Sequence, residues 1–359
     1  MPNYKSIKRI KDKEESIRIT ERLLALRNQL DIQIPKKTAT ETLLLATWNI
    51  REFSDNRRAE SLYFIAEIIS RFDLIAVQEI SKNLDGFEKL ISLLDPNWDY
   101  IITDSTEGTD GGGERMAFVY DKNKVMFKNM ASEIVLSTKN ADMVSGDFQF
   151  ARSPFCVAFQ AGWFKFNIAT VHIFFGNAPD TKIEERRLDE IKKAVDFLSK
   201  RAKDEDRSYI LLGDFNIPNC KTDYMKALES KKFFIPDAIK EHPSNLAKSK
   251  HYDQIAFNIK LEPTMELFDK KNQKAGAFDF TESVYREEDL ETYRKFFSPE
   301  VFTTKDRKTK EIRDKTEKEL TQYYMNTYRT TEMSDHLPLW VELKIDFSNQ
   351  YLKKIRDQI

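Results

Sequence analysis

The stretch YILLGDFNIP, residues 209–218, decides the fold: four apolar residues, Tyr209, Ile210, Leu211 and Leu212, run into Gly213-Asp214-Phe215-Asn216. Bounded by polar Arg207 and Ser208 before it and by Gly213 after it, the run predicts a fully buried strand rather than a helix. A glycine, a carboxylate and a carboxamide at the carboxyl end of such a strand place oxygen-bearing side chains beside a crevice, the usual ligand position in α/β sheets. Gly, Asp and Asn are also ordinary turn residues. The segment gains meaning from repetition, because four other strand-like runs also end in polar clusters.

Those runs appear in a regular order. A helical pattern over about 7–30, with Ile17, Leu24 and Leu30 among Lys, Arg and Glu, predicts an amphipathic N-terminal helix packed on the outside of the main domain or, alternatively, an arm for a partner or nucleic acid. A buried strand over 42–48 then ends at Asn49. A helix capped by Asp55 and running to about Phe72 follows, and a strand over 73–80 ends at Gln78-Glu79. After a helix near 84–94 and a strand near 100–102 comes a loop, 104–113, with Gly108, Gly111, Gly112 and Gly113; it lacks GK[ST] and GxGxxG, so it reads as flexible backbone rather than a phosphate-binding motif. Alternating apolar runs at 155–159 and 164–171 predict an antiparallel pair ending at His172. A long helix over 181–202 leads into the 209–212 strand; a short helix near 224–228, a strand over 252–257 and a last strand over 339–345, preceded by Asp335-His336, complete the pattern. Strand-helix pairs with antiparallel pairs between them predict an α/β fold of two mixed sheets packed face to face with helices outside. The expected organisation is an N-terminal extension over 1–41, a main domain over 42–345 with a helical insert at about 262–330, and a tail over 346–359.

Composition narrows the class. Across 359 residues, 40% apolar content with 26 Phe, 13 Tyr and 4 Trp predicts a globular chain with a large core. The 58 basic and 59 acidic residues nearly cancel, so any polyanion site is local rather than a global basic field. Two cysteines, Cys156 and Cys220, are too few for a disulfide framework or a cysteine-held zinc. With no apolar stretch of 18 residues and no signal-like N-terminus, the expected location is cytoplasmic.

Collected by type, the strand ends offer Asn49, Glu79, His172, Asp214, Asn216, Asp253, Asp335 and His336. Oxygen donors without a Cys or His cluster suit Mg2+ or Mn2+ rather than zinc. A divalent cation beside two histidines and several carboxylates is equipment for attacking a phosphoester, with charge neutralisation, a base for water and a nearby proton donor.

The segments ATWNI (46–50), IAVQEI (75–80), ERMAFVYDKNKV (114–125), ARSPF (151–155), ATVHI (169–173), LLGDFNIP (211–218), YDQIAF (252–257) and MSDHLPLWVEL (333–343) stand in an order that resembles the endonuclease/exonuclease/phosphatase superfamily, most closely its deoxyribonuclease I-like members. The resemblance implies a four-layer α/β sandwich. It implies Asn49, Glu79 and Asp335 on the metal side, and Asp214 and Asn216 aligning the water and the scissile phosphate. His336 would be the general base oriented by Asp253, and His172, paired with Glu114, would face the phosphate or leaving group. Arg152 would contact a substrate phosphate, and Arg115, in the ERMAF segment, is a further candidate for that role. Gly112 stands where deoxyribonuclease I has an aromatic minor-groove contact, so that contact is missing. The expected activity is Mg2+-dependent endonucleolytic hydrolysis of DNA, with nucleic acid as partner. The alternatives are a phosphatase or lipid phosphodiesterase of the same superfamily, with an inositol phosphate or sphingomyelin-type substrate, and a non-enzymatic binding module. The insert, with Phe278, Tyr293, Phe297 and Tyr324 among its aromatics, has two readings: a cap over the crevice, or a small helical subdomain whose aromatics form core.

Overall fold

The computed structural model describes residues 2–106, 112–136, 149–176, 181–260, 274–306 and 310–359. Gly108 and Gly111 of the glycine loop, and the part of the insert at 262–273, lie outside the described residues. The chain enters a first sheet through β1 (Thr42–Phe53), β2 (Leu74–Ile80), β3 (Trp98–Ile102) and β4 (Arg115–Asp121). It crosses to a second sheet with β5 (Val125–Glu133), β6 (Phe155–Ala161), β7 (Phe164–His172), β8 (Ser208–Asp214) and β9 (Asp253–Asn258). It returns with β10 (Ala275–Ala277), forms a small hairpin of β11 (Thr303–Lys305) and β12 (Ile312–Asp314), and closes the first sheet with β13 (Leu339–Lys344). The sheet orders are β10-β13-β1-β2-β4-β3 and β5-β6-β7-β8-β9. Both are mixed, since β1 and β2 are parallel, as are β7 and β8, among antiparallel neighbours.

The two-residue period of a strand divides β1 between two cores. Leu43 and Leu45 face the second sheet, whereas Leu44, Ala46 and Trp48 pack outward under helices. On that outer side lie α1 (Lys13–Gln33), α2 (Ala59–Ile69) and α3 (Asp85–Leu93); the second sheet is covered by α4 (Thr181–Asp204) and α5 (Asp223–Leu228). The result is a four-layer α/β sandwich with two packed mixed sheets flanked by helices.

Three expectations are corrected. The N-terminal helix begins at Lys13 after a 3₁₀ turn, Lys5–Arg9, and buries Ile19, Leu23, Leu26 and Leu30, while Ile17 and Leu24 are exposed. Its apolar residues lie on more than one stripe, and docking on α2 selected the one with 4-3-4 spacing. α2 starts after Arg58, whose side chain makes no capping bond, rather than at a cap by Asp55, and it is buried on all sides because α1 and the insert cover the face turned away from the sheet. The insert sequence predicts two helices, near 287–297 and 311–327; in the structure a 3₁₀ turn at Glu287–Asp289 leads into the shorter α7 (Leu290–Arg294), which follows the four-residue α6 (Asp237–Lys240) in helix order. The second insert helix starts only at α8 (Glu317–Tyr323), where Thr316 and Glu319 form a capping box. It continues through a π turn, Tyr324–Tyr328, into α9 (Arg329–Glu332).

The insert aromatics settle into core. Phe278, Phe280, Tyr285, Tyr293, Phe297, Tyr324 and Tyr328 are buried in the same cluster as α1, α2 and Trp48. Polar ties run through this layer: Arg18 and Arg58 both reach Glu60, at 2.6 and 2.7 Å, and Ser61 donates to Glu332 at 2.6 Å. Beyond β13, residues 346–359 hold α10 (Ser348–Gln358), which buries none of its side chains.

Candidate active site

Strand pairing brings the polar strand ends to one edge of the sandwich. In the second sheet His172 of β7 pairs with Asp214 of β8, and Asp214 pairs with Asp253 of β9, so three candidate residues form a row across adjacent strands. β1 runs past the expected end at Asn49 to Phe53, but its regular pairing with β2 breaks after Asn49 and Gln78, next to Glu79. Asp335-His336 lead into β13, which runs antiparallel to β1 and so starts at the same edge. Gly213 is required by this row. Its φ is 130°, and a Cβ there would lie 2.2 Å from the Val171 carbonyl oxygen.

Glu79 and Asn216 have φ of 60° and 55°, a left-handed conformation uncommon for residues with a side chain. At Glu79 the register of β2 shifts against both neighbours, a bulge that re-aims the carboxylate. There Glu79 Oε1 accepts from Asn49 Nδ2 at 2.8 Å and Oε2 from the Glu52 amide at 2.8 Å. Asn49 Nδ2 also donates to Asp214 Oδ2 at 3.0 Å, joining the two sheets across the site. Below it, Gln78 makes the same crossing by donating to Thr170 Oγ1 at 2.8 Å. Asp214 Oδ1 accepts the Asn216 amide at 2.9 Å, and Asn216 Nδ2 donates to the Ile173 carbonyl at 2.8 Å.

Two imidazoles converge on Asp214. His172 Nε2 and His336 Nε2 each lie 3.7 Å from Asp214 Oδ2, while His172 Nδ1 is 2.8 Å from Glu114 Oε2 and His336 Nδ1 is 2.7 Å from Asp253 Oδ2. Each ring is thereby oriented by its own carboxylate with Nε2 turned to the shared one. Burial alone would raise the Glu114 carboxyl, but His172 and the Arg152 guanidinium at 2.7 Å overcome it and bring it down to about 2. Burial lowers both histidines. Glu114 outweighs it at His172, leaving that ring above its ordinary value, and Asp253 with Asp214 carries His336 up to about 10. Asp214 goes the other way, since the two histidines more than offset its burial.

Asp335 sits at the rim, half exposed, with Arg51 4.0 Å away. Arg152 is engaged with Glu114 rather than turned to open space. Arg115 is not brought into the cluster: its guanidinium donates to the Thr103 carbonyl at 2.8 Å and pairs with Asp104 at 3.1 Å, because β4 turns that side chain toward β3.

Several residues that hold the site were not nominated from the sequence. Ser334 Oγ donates to the Asn49 carbonyl at 2.6 Å and accepts the His336 amide at 2.9 Å; the Asp253 amide donates to Ser244 Oγ at 2.8 Å. Buried Arg57 donates to the Thr331 carbonyl at 2.7 Å and to the carbonyls of Ile50, Arg51 and Met333, tying the end of β1 to the segment before His336. Buried Arg187 of α4 donates to the carbonyls of Phe174, Phe175 and Asn216. For Ser334 the signal was adjacency to Asp335-His336; for the two arginines the sequence holds none.

The donors suit a hard cation. Asn49 Oδ1 and Asp253 Oδ1 are buried and have no hydrogen-bond partner among the described residues, and the other candidate ligands Glu79 and Asp335 offer only oxygen. Asp214, Asp253 and His336 also bring ligand atoms within 4.8 Å of one another, a grouping able to hold a metal ion. By formal charge, five carboxylates (Glu79, Glu114, Asp214, Asp253, Asp335) outnumber the four cationic partners His172, His336, Arg152 and Arg51 even with both rings protonated.

Fold and site together define a hydrolase of the endonuclease/exonuclease/phosphatase type. The chain belongs to the Endonuclease/Exonuclease/phosphatase family, whose profile matches residues 46–244. It is similar to a "Deoxyribonuclease" of Thioalkalivibrio sp. (strain K90mix), 28% identical over 186 residues, which is 50% of this chain and 48% of the relative. The match thus spans about half the length of that curated relative. Among solved structures, it is similar to an endonuclease/exonuclease/phosphatase family protein of Bacteroides thetaiotaomicron, with a TM-score of 0.52, 17% identity, and 85% of this chain and 98% of that chain covered. A mannosyl-6-phosphatase of the same species aligns with a TM-score of 0.50 and 17% identity over 84% of this chain and 99% of that one. At these identities the solved structures speak to fold alone. Among the described residues no helix is long and apolar enough to cross a membrane.

Proposed function

We propose that this chain is a Mg2+-dependent endonuclease that hydrolyses DNA phosphodiester bonds by in-line attack of water. The observation that carries the reading is the convergence of His172 Nε2 and His336 Nε2 on one oxygen of Asp214, each ring backed by its own carboxylate. That arrangement supplies a proton acceptor and a proton donor on either side of one small space, which suits displacement at phosphorus. Similarity to a deoxyribonuclease supports nucleic acid as the substrate class.

In this reading Asn49, Glu79 and Asp335 hold the cation. Bound there, Mg2+ would supply positive charge to the phosphoryl oxygens and would favour the neutral form of His336. His336 Nε2 takes a proton from water while its Nδ1–H stays on Asp253; the water oxygen bonds to phosphorus as the bond to the leaving oxygen breaks. His172, whose protonated form Glu114 favours, donates from Nε2 to the leaving oxygen. Asp214 and Asn216 align the water and the phosphate. Arg152 acts here by holding Glu114.

The test is hydrolysis with and without Mg2+, side by side, on plasmid DNA, RNA, abasic-site DNA, mannose 6-phosphate, inositol phosphates and sphingomyelin. Nicking or fragmentation of plasmid DNA that requires the cation is expected. Turnover of a phosphomonoester or of sphingomyelin with intact DNA would overturn the reading.

A further inference from the structure

We infer that Phe175 and Tyr252 form a stacking shelf for the nucleobase beside the scissile phosphate, so that single-stranded DNA is cut in preference to intact duplex. The inference rests on the nuclease reading of the site. Phe175 stands three residues after His172 and leaves 51% of its surface exposed. Its ring meets Tyr252 edge to face, with centroids 6.4 Å apart and planes at 81°; Tyr252 in turn lies 5.5 Å from the His336 ring at 31°. An aromatic surface therefore runs from the proposed base outward along one wall of the site.

A single exposed apolar residue needs no explanation. This one is held in place from three directions. Arg187, itself buried, donates Nε to the Phe174 carbonyl at 3.1 Å, a terminal nitrogen to the Phe175 carbonyl, and the other to the Asn216 carbonyl at 3.2 Å. Its guanidinium carbon lies 5.0 Å from the Phe175 centroid, so the charge sits against the ring as well. Directly after it, Gly176 turns the chain at a φ of 76°, where a Cβ would come within 2.3 Å of Ile183 Cγ2. Tyr252 is fixed too, because its carbonyl accepts the Phe215 amide at 2.8 Å. The shelf thus shares its supports with the Asp214-Phe215-Asn216 turn, and its position relative to the reacting phosphate is set in advance. Stacking needs a base whose π-face is free, and within a duplex both faces are covered by neighbouring bases.

The experiment measures kcat/KM with Mg2+ for the wild-type protein, Phe175→Ala and Phe175→Trp. The substrates are a single-stranded oligodeoxynucleotide, the same sequence as duplex, and an oligomer with a tetrahydrofuran abasic residue at every position. The wild-type protein should favour the single strand over the duplex. In Phe175→Ala the ratio of kcat/KM on single strand to that on the base-free oligomer should fall roughly 5- to 150-fold, the equivalent of about 1–3 kcal/mol for one base stack, and Phe175→Trp should retain it. An unchanged ratio overturns the shelf while the nuclease reading stands. A wild-type protein inactive on every oligonucleotide overturns the nuclease reading and the shelf with it. Should Phe175→Ala melt early, Phe175→Leu keeps apolar bulk, removes the flat ring and makes the same comparison.

Discussion

At Asp214 one carboxylate oxygen faces two imidazoles, and the consequences separate by residue. His172→Ala and His336→Ala are each expected to lower kcat by at least about 10²-fold, the lower range for a general acid or base; a loss confined to KM would mark uniform binding instead. Glu79→Gln removes charge from an oxygen donor placed by a strained bulge, so the Mg2+ concentration for half-maximal activity should rise with the circular dichroism unchanged. An unaltered Mg2+ dependence would remove Glu79 from the metal side. Glu114 makes a pH prediction. Its carboxyl, held at about 2 against an ordinary 4.5, contributes stability that is fully present above about pH 4.5 and is lost as pH falls toward 2. Glu114→Gln should therefore flatten the fall in melting temperature across that window, by an amount equivalent to at most about 3 kcal/mol. Parallel acid-melting curves for the two proteins would contradict the pairing.

Among elements, the clamp formed by Arg57 links β1 to the segment that delivers Asp335 and His336. Arg57→Lys keeps the charge but cannot span carbonyls on both segments with a planar fork. It should lower kcat with only modest loss of melting temperature, whereas unchanged turnover would reduce the clamp to general packing. α1 illustrates a different dependence. Its buried stripe of Ile19, Leu23, Leu26 and Leu30 packs with α2, and Leu26→Ala should cost about 2–5 kcal/mol in denaturant unfolding. A cost near zero would mean that α1 docks loosely.

For the whole molecule, the outer core joins α1, α2, Trp48 and the insert aromatics, so the insert is built into the support of the first sheet. Tyr293→Ala should destabilise the protein by about 3–5 kcal/mol, the range for a buried aromatic. The relative activity on long DNA and on a small phosphodiester should stay as it is. A selective gain on long DNA in the folded variant would restore the cap reading.

What the sequence determined by itself was the alternation of short buried runs with polar ends, and through it the two-sheet α/β class and the nominees Asn49, Glu79, His172, Asp214, Asp253 and His336. These were legible because burial pattern and strand-end chemistry are local properties of five to ten residues. Only the tertiary structure decided how the nominees meet. The row from His172 to Asp214 to Asp253 depends on strand register, and the bulge at Glu79 on a shift between paired strands. The arginines divide for the same reason. Arg57 and Arg187 act on backbone carbonyls, which every residue possesses and no motif records, while Arg115, inside a matching segment, turns to Thr103 because of the strand beside it. Which stripe of α1 is buried, and whether the insert's aromatics face a crevice or a core, likewise followed from the surfaces available to cover them.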